Sequence, residues 1–146
     1  MTLLPDIQEK VNTALRAGLS DQVSAWRMLL AELKNAQIAK GGDLTEADIF
    51  TLTQKEIKKR KEAATIYTAQ QETARAQQEL TEAEIYSSIL PEAVSESELL
   101  AYLQAERTKI TESGPAVRGI LIKKGLAQFG ARTDGQTVSR LAASLE

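Results

Sequence analysis

The side chains with most chemical potential in this chain are cations near its end. Arg107, Lys109, Arg118, Lys123, Lys124, Arg132 and Arg140 fall within residues 107–146, where only three acidic residues accompany them. Such a set attracts anions and makes no bonds. Bond-making groups are scarce. The sequence has no cysteine and no histidine, so the thiol nucleophile, the imidazole base and the usual zinc ligands are missing. A second basic run reads Lys55-Glu56-Ile57-Lys58-Lys59-Arg60-Lys61. On a helix Lys55, Lys58 and Lys59 share one face. They form either a phosphate-binding stripe or a solvated face with Glu56 and Arg60 as an i,i+4 pair.

Acid–base catalysis has little to work with. Glu82 with Glu84, and Glu96 with Glu98, lie two residues apart, and on a helix such neighbours point in different directions. Gly41-Gly42 lacks the Gly-Lys-Ser/Thr of a phosphate-binding loop. The residues therefore predict no catalytic group, no metal site and no cofactor. Trp26 reads as core, and Arg27 beside it as a partner for Glu82 or Glu84.

These side chains need a frame, and composition supplies it. Of 146 residues, 42% are apolar and 26% charged, with few glycines and prolines, which describes a folded chain rich in helix formers. Net charge is −2. Residues 1–61 are nearly balanced, residues 62–106 are acidic, and the end is basic. No apolar run is long enough for a bilayer, and Met1-Thr2-Leu3-Leu4-Pro5-Asp6 is unlike a secretory signal. A cytoplasmic setting is expected, with no membrane partner.

Helical spacing predicts seven helices. The first runs from about Pro5 to Ala17, with Leu4, Ile7, Val11, Ala14 and Leu15 on one stripe. Ser20 is the expected cap of the second, which ends at Gly41-Gly42. Thr45 caps the third, whose apolar face takes in Ile49, Leu52, Ile57, Ile66 and Tyr67. A turn is expected around Gln70–Glu72. The fourth helix carries Leu80, Ile85, Ile89 and Leu90 up to Pro91. Ser95-Glu96-Ser97-Glu98 reads as a capping box for the fifth, reaching about Thr111. The sixth covers about Ala116 to Phe129, where Gly119 and Gly125 allow close packing. Gly130 ends it, and Asp134 caps the seventh. No segment alternates as a strand does. The predicted class is all-α, with a helical bundle over residues 1–92 and a three-helix domain over residues 93–146.

The order of several pieces resembles the YqeY family along essentially the whole chain. They are Trp26-Arg27-Met28-Leu29 with Asn35 and Ile38, Lys58-Lys59-Arg60-Lys61 leading to Tyr67, and Glu84-Ile85-Tyr86-Ser87-Ser88-Ile89-Leu90-Pro91. The Ser95–Leu99 cap and Gly130-x-x-x-Asp134-Gly135-x-x-Val138 follow. The family resembles the helical tail of the B subunit of the tRNA-dependent amidotransferase, and the resemblance implies a relation to tRNA. The glutaminase and the ATP-using catalytic cradle of that enzyme have no counterpart here. The opening of the sixth helix departs from the family, reading Pro115-Ala116-Val117-Arg118-Gly119-Ile120. The first expectation is a tRNA- or RNA-binding accessory protein, non-catalytic alone, that does not take DNA. Its contacts would be Lys123, Lys124, Arg132 and Arg140 with Arg118, and Lys55, Lys58 and Lys59 as a rival set. The alternatives are a component of glutamine-dependent amide transfer, a carbon–nitrogen ligase reaction, and a helical protein–protein adaptor in tRNA metabolism.

Overall fold

A computed structural model describes residues 2–146; Met1, where the amino-terminal reading begins, lies outside them. Among the described residues there are seven α-helices and one 3-10 turn, and no strand. The helices are α1 Leu4–Ala17, α2 Ser20–Lys40, α3 Glu46–Ala69, α4 Thr73–Ser87, α5 Glu96–Arg107, α6 Pro115–Phe129 and α7 Gly135–Ala143. The 3-10 turn Gly130–Arg132 joins α6 to α7. The fold class is all-α. Two compact units divide the chain, one ending at Leu90 and one spanning Pro91–Glu146.

Local chemistry sets the helix ends in the first unit. Thr45 accepts from the Asp48 N–H at 3.1 Å, and Asp48 accepts from the Thr45 N–H at 2.9 Å, a reciprocal cap that starts α3. Gly41, at φ +75°, closes α2 in the left-handed region that side chains avoid. Between α3 and α4 the chain reverses at Gln71, the one non-glycine residue with positive φ among those described. Ser20 is not the cap of α2. It is the first helical residue, and Leu19 stands before it without a side-chain bond.

Ile7, Val11, Leu29, Leu33, Ile49 and Tyr86 are fully or almost fully buried and join α1, α2, α3 and α4 into one core with Trp26. Three expected core positions are on the surface instead. Leu15, Ile66 and Leu80 lie 49%, 58% and 43% exposed. Each sits at the edge of its apolar stripe, and a small residue is buried near it: Ala14 by Leu15, Ala64 by Ile66 and Ala83 by Leu80.

In the second unit α5, α6 and α7 pack around Leu99, Leu103, Val117, Leu121 and Val138. Ser95 caps α5 by accepting from the Glu98 N–H at 3.1 Å. Gly125 lets α6 approach α7, since a Cβ there would stand 2.9 Å from Val138 Cγ1. Gly119 has open space around it, so only one of the two glycines serves packing.

Candidate functional site

The cations of the second unit lie at both ends of α5. Arg132 and Arg140 both lie at the start of α5. Arg132 Nε donates to the Glu92 carbonyl at 3.1 Å, its Nη2 lies 3.9 Å from Glu98, and its guanidinium stands 6.0 Å from the Phe129 ring. Arg140 pairs with Glu96. Lys124 sits near the other end of α5, 3.1 Å from Glu106, which Lys109 also reaches at 3.0 Å. Glu96 and Glu106 are about 15 Å apart along a straight helix. Arg118 pairs with Glu146 at 2.5 Å. Lys123 is exposed and has no ion-pair partner among the described residues.

The carboxylates respond to this arrangement. Hydrogen bonds from Lys109 and then Lys124 hold Glu106 below its ordinary value. The Asp134 carboxylate accepts from the Thr137 N–H at 2.8 Å and its hydroxyl at 3.0 Å. It occupies the start of α7, so the positive end of that helix is not open to a phosphate. Counted by unit, residues 91–146 hold seven basic and seven acidic residues. The carboxylates of Glu92, Glu96, Glu98 and Glu106, counted by sequence with the acidic middle, belong by folding to the same unit as the basic end.

On α3 the set splits by direction. Lys55 and Lys58 are exposed without an ion-pair partner among the described residues, while Lys59 reaches Glu56 at 3.3 Å. Glu56 and Arg60 are not on a solvated face. Arg60 donates to Glu56 at 2.7 Å and to Glu82 of α4 at 3.1 Å, with side chains 10%, 8% and 14% exposed respectively. The guanidinium stacks 4.7 Å from the Tyr86 ring. Burial pushes the Tyr86 hydroxyl up to about 12. Arg60 thus takes the glutamate expected for Arg27, and Arg27 points to solvent. Sequence reasoning saw the Glu56–Arg60 spacing and missed its burial. The signal was available in Tyr86, four residues after Glu82, on the stripe that meets Trp26.

These two carboxylates converge on one guanidinium, which ties up the oxygens a proton-transfer reaction would use. Among the described residues no three acidic side chains come together as a metal site would need.

The model of the Yqey-like protein family matches residues 5–145. The chain belongs to the YqeY family. A comparison with curated proteins finds no match. In this YqeY chain the match covers both compact units, so the α3 cations and the α6–α7 cations fall inside one family unit. No helix among the described residues is long and apolar enough to cross a membrane.

Proposed function

We propose that this YqeY chain is a non-catalytic helical protein that binds folded RNA, tRNA first among candidates, in cytoplasmic RNA metabolism. One observation carries the reading. Arg118, Lys124, Arg132 and Arg140 keep side chains 40–57% exposed, and each is paired with a carboxylate, Arg132 also donating to the Glu92 carbonyl. Such pairs contribute about 0–1 kcal/mol, so a phosphate can take the carboxylate's place at small cost. Lys123 on α6 and Lys55 and Lys58 on α3 are free to meet phosphate directly. Exposed cations of this kind suit a large anion read by backbone and shape, with the second-unit set and the α3 set as rival sites. The resemblance of the sequence to the amidotransferase tail supports the choice of tRNA over DNA.

A second reading has an observation of its own. The balance of charge in residues 91–146 favours a protein partner, because a neutral helical unit has no net pull on a polyanion. A component of glutamine-dependent amide transfer is a third, in which the chain contributes RNA or partner binding and other subunits the chemistry. Filter binding of folded tRNA at rising salt separates the first two. Log affinity falling linearly with log salt supports phosphate contacts; no retention at low salt favours the protein partner.

A further inference from the structure

The exposed face of α2 is absorbed neither by the core nor by the cation sites. Val23, Trp26, Leu29, Leu30 and Leu33 are buried on its inner side. On its outer side Met28, Ala31, Asn35 and Ile38 recur at steps of three, four and three residues. Met28 is 44% and Ile38 79% exposed, and Ala31 and Asn35 are exposed as well. Steps of three and four residues are those of a coiled-coil seam, with Met28 and Asn35 at one core position and Ala31 and Ile38 at the other.

The flanks of this seam have opposite charge. Arg27 lies on one edge and Glu32 on the other, both exposed. In a parallel two-fold pair each edge faces the opposite edge of the second helix. Arg27 of one copy then meets Glu32 of the other, five residues further along, which is the flanking-pair geometry of parallel coiled coils. An antiparallel two-fold pair would set like edge against like edge, the basic edge of Arg27 and Lys34 along its own copy and the Glu32 edge along its own copy. Asn35 points the same way. In a seam its amide lacks water, and in a parallel register it meets its own copy, where donor and acceptor satisfy each other.

We propose that the outer face of α2 is a self-association surface, on which a second copy of this chain pairs its α2 in parallel and in register. The seam holds two large apolar side chains and one small one per copy. The association is therefore weak and depends on concentration.

The native chain has no cysteine, which allows a clean test. Ala31→Cys places one thiol at a core position that faces itself across a parallel seam. Ala101→Cys, exposed on α5, reports random collision. The full chain carrying Ala31→Cys should form a disulfide-linked dimer at least tenfold faster under mild oxidant. Sedimentation of the wild type should show mass rising toward twice the monomer with concentration. Met28→Glu with Ile38→Glu should abolish that rise while leaving helicity unchanged. Arg27→Glu should weaken self-association, and adding Glu32→Arg should restore it. The proposal is overturned if the wild type stays monomeric to ~1 mM, the weak end of specific association. It is also overturned if residue 31 cross-links no faster than residue 101, or if Arg27→Glu weakens RNA binding and leaves the mass unchanged.

Discussion

The Tyr86 hydroxyl donates to the Ala25 carbonyl across 2.7 Å, linking α4 to α2 through sixty-one residues of sequence separation. The same ring lies 6.0 Å from Trp26 and carries the Arg60 guanidinium on its face. One side chain therefore fixes α4 against α2 and α3, the frame that presents Lys55 and Lys58.

Tyr86→Phe keeps the ring and removes the bond. It should destabilise the first unit by about 1 kcal/mol, the typical net worth of a buried hydrogen bond. Urea unfolding followed by Trp26 fluorescence measures this, since the indole neighbours the altered ring. An unchanged midpoint would mean that water or another group satisfies the Ala25 carbonyl equally well.

Arg60→Ala is expected to be much worse. It leaves Glu82 without its cation and Glu56 with only Lys59, both side chains largely covered, and breaking such a buried pair costs up to roughly 3–5 kcal/mol. Replacing all three groups together by Leu, Met and Leu should recover most of the loss, because the apolar trio no longer needs a partner. Denaturation midpoints of the single and triple variants decide the matter, and a triple variant no better than Arg60→Ala would contradict it.

The two glycines of α6 should behave oppositely. Gly125→Ala drives a methyl against Val138 and should cost about 1–3 kcal/mol, less what helix propensity returns. Gly119→Ala enters open space and should stabilise by up to about 1 kcal/mol. Thermal unfolding of residues 91–146 or of the full chain reads both signs.

A pH dependence follows from the start of α3. A hydrogen bond from Lys40, then one from the Thr45 backbone, lower Asp48 to about 2. A carboxylate whose folded value lies below its unfolded one stabilises fully above the unfolded value. That stability is lost as pH falls through the folded value. For Asp48 the window runs from about pH 4 down to about pH 2. The stability difference between wild type and Asp48→Asn should shrink across this window, as measured by urea midpoints at each pH. A difference that stays constant would contradict the assignment.

Helix ends were legible in the sequence where a cap or a glycine carried them. Thr45, Ser95, Asp134 and Gly130 all sit at the ends that their chemistry implies. Edges of apolar stripes were not. Leu15, Ile66 and Leu80 look like core by spacing, and only the packing of neighbouring helices decides which flank is covered. Charge was the least legible property. The basic end and the acidic residues before it are separate in sequence, while α5 brings Glu96, Glu98 and Glu106 against that end. The Arg60 network needed a partner twenty-two residues away, which no local pattern announces.

The division into two compact units leads us to propose that each folds alone. A fragment of residues 1–92 should unfold cooperatively and retain helical circular dichroism. Limited proteolysis of the full chain should cut first in the exposed stretches 91–93 and 111–113, and not at Val94, which is buried and hydrogen-bonded to Arg132. A non-helical fragment would mean that the first unit depends on the second.

The central claim is that surface cations hold folded RNA. A mobility-shift titration with folded tRNA at low and moderate salt tests it most directly. Three chains are compared: wild type, Lys123, Lys124, Arg132 and Arg140 reversed to Glu, and Lys55, Lys58 and Lys59 reversed to Glu. The account predicts that wild type binds at low salt and weakens steeply with salt, and that at least one reversed set loses binding while remaining folded by circular dichroism. Wild type that fails to bind at low salt, or binding that both reversed sets leave intact, would contradict it.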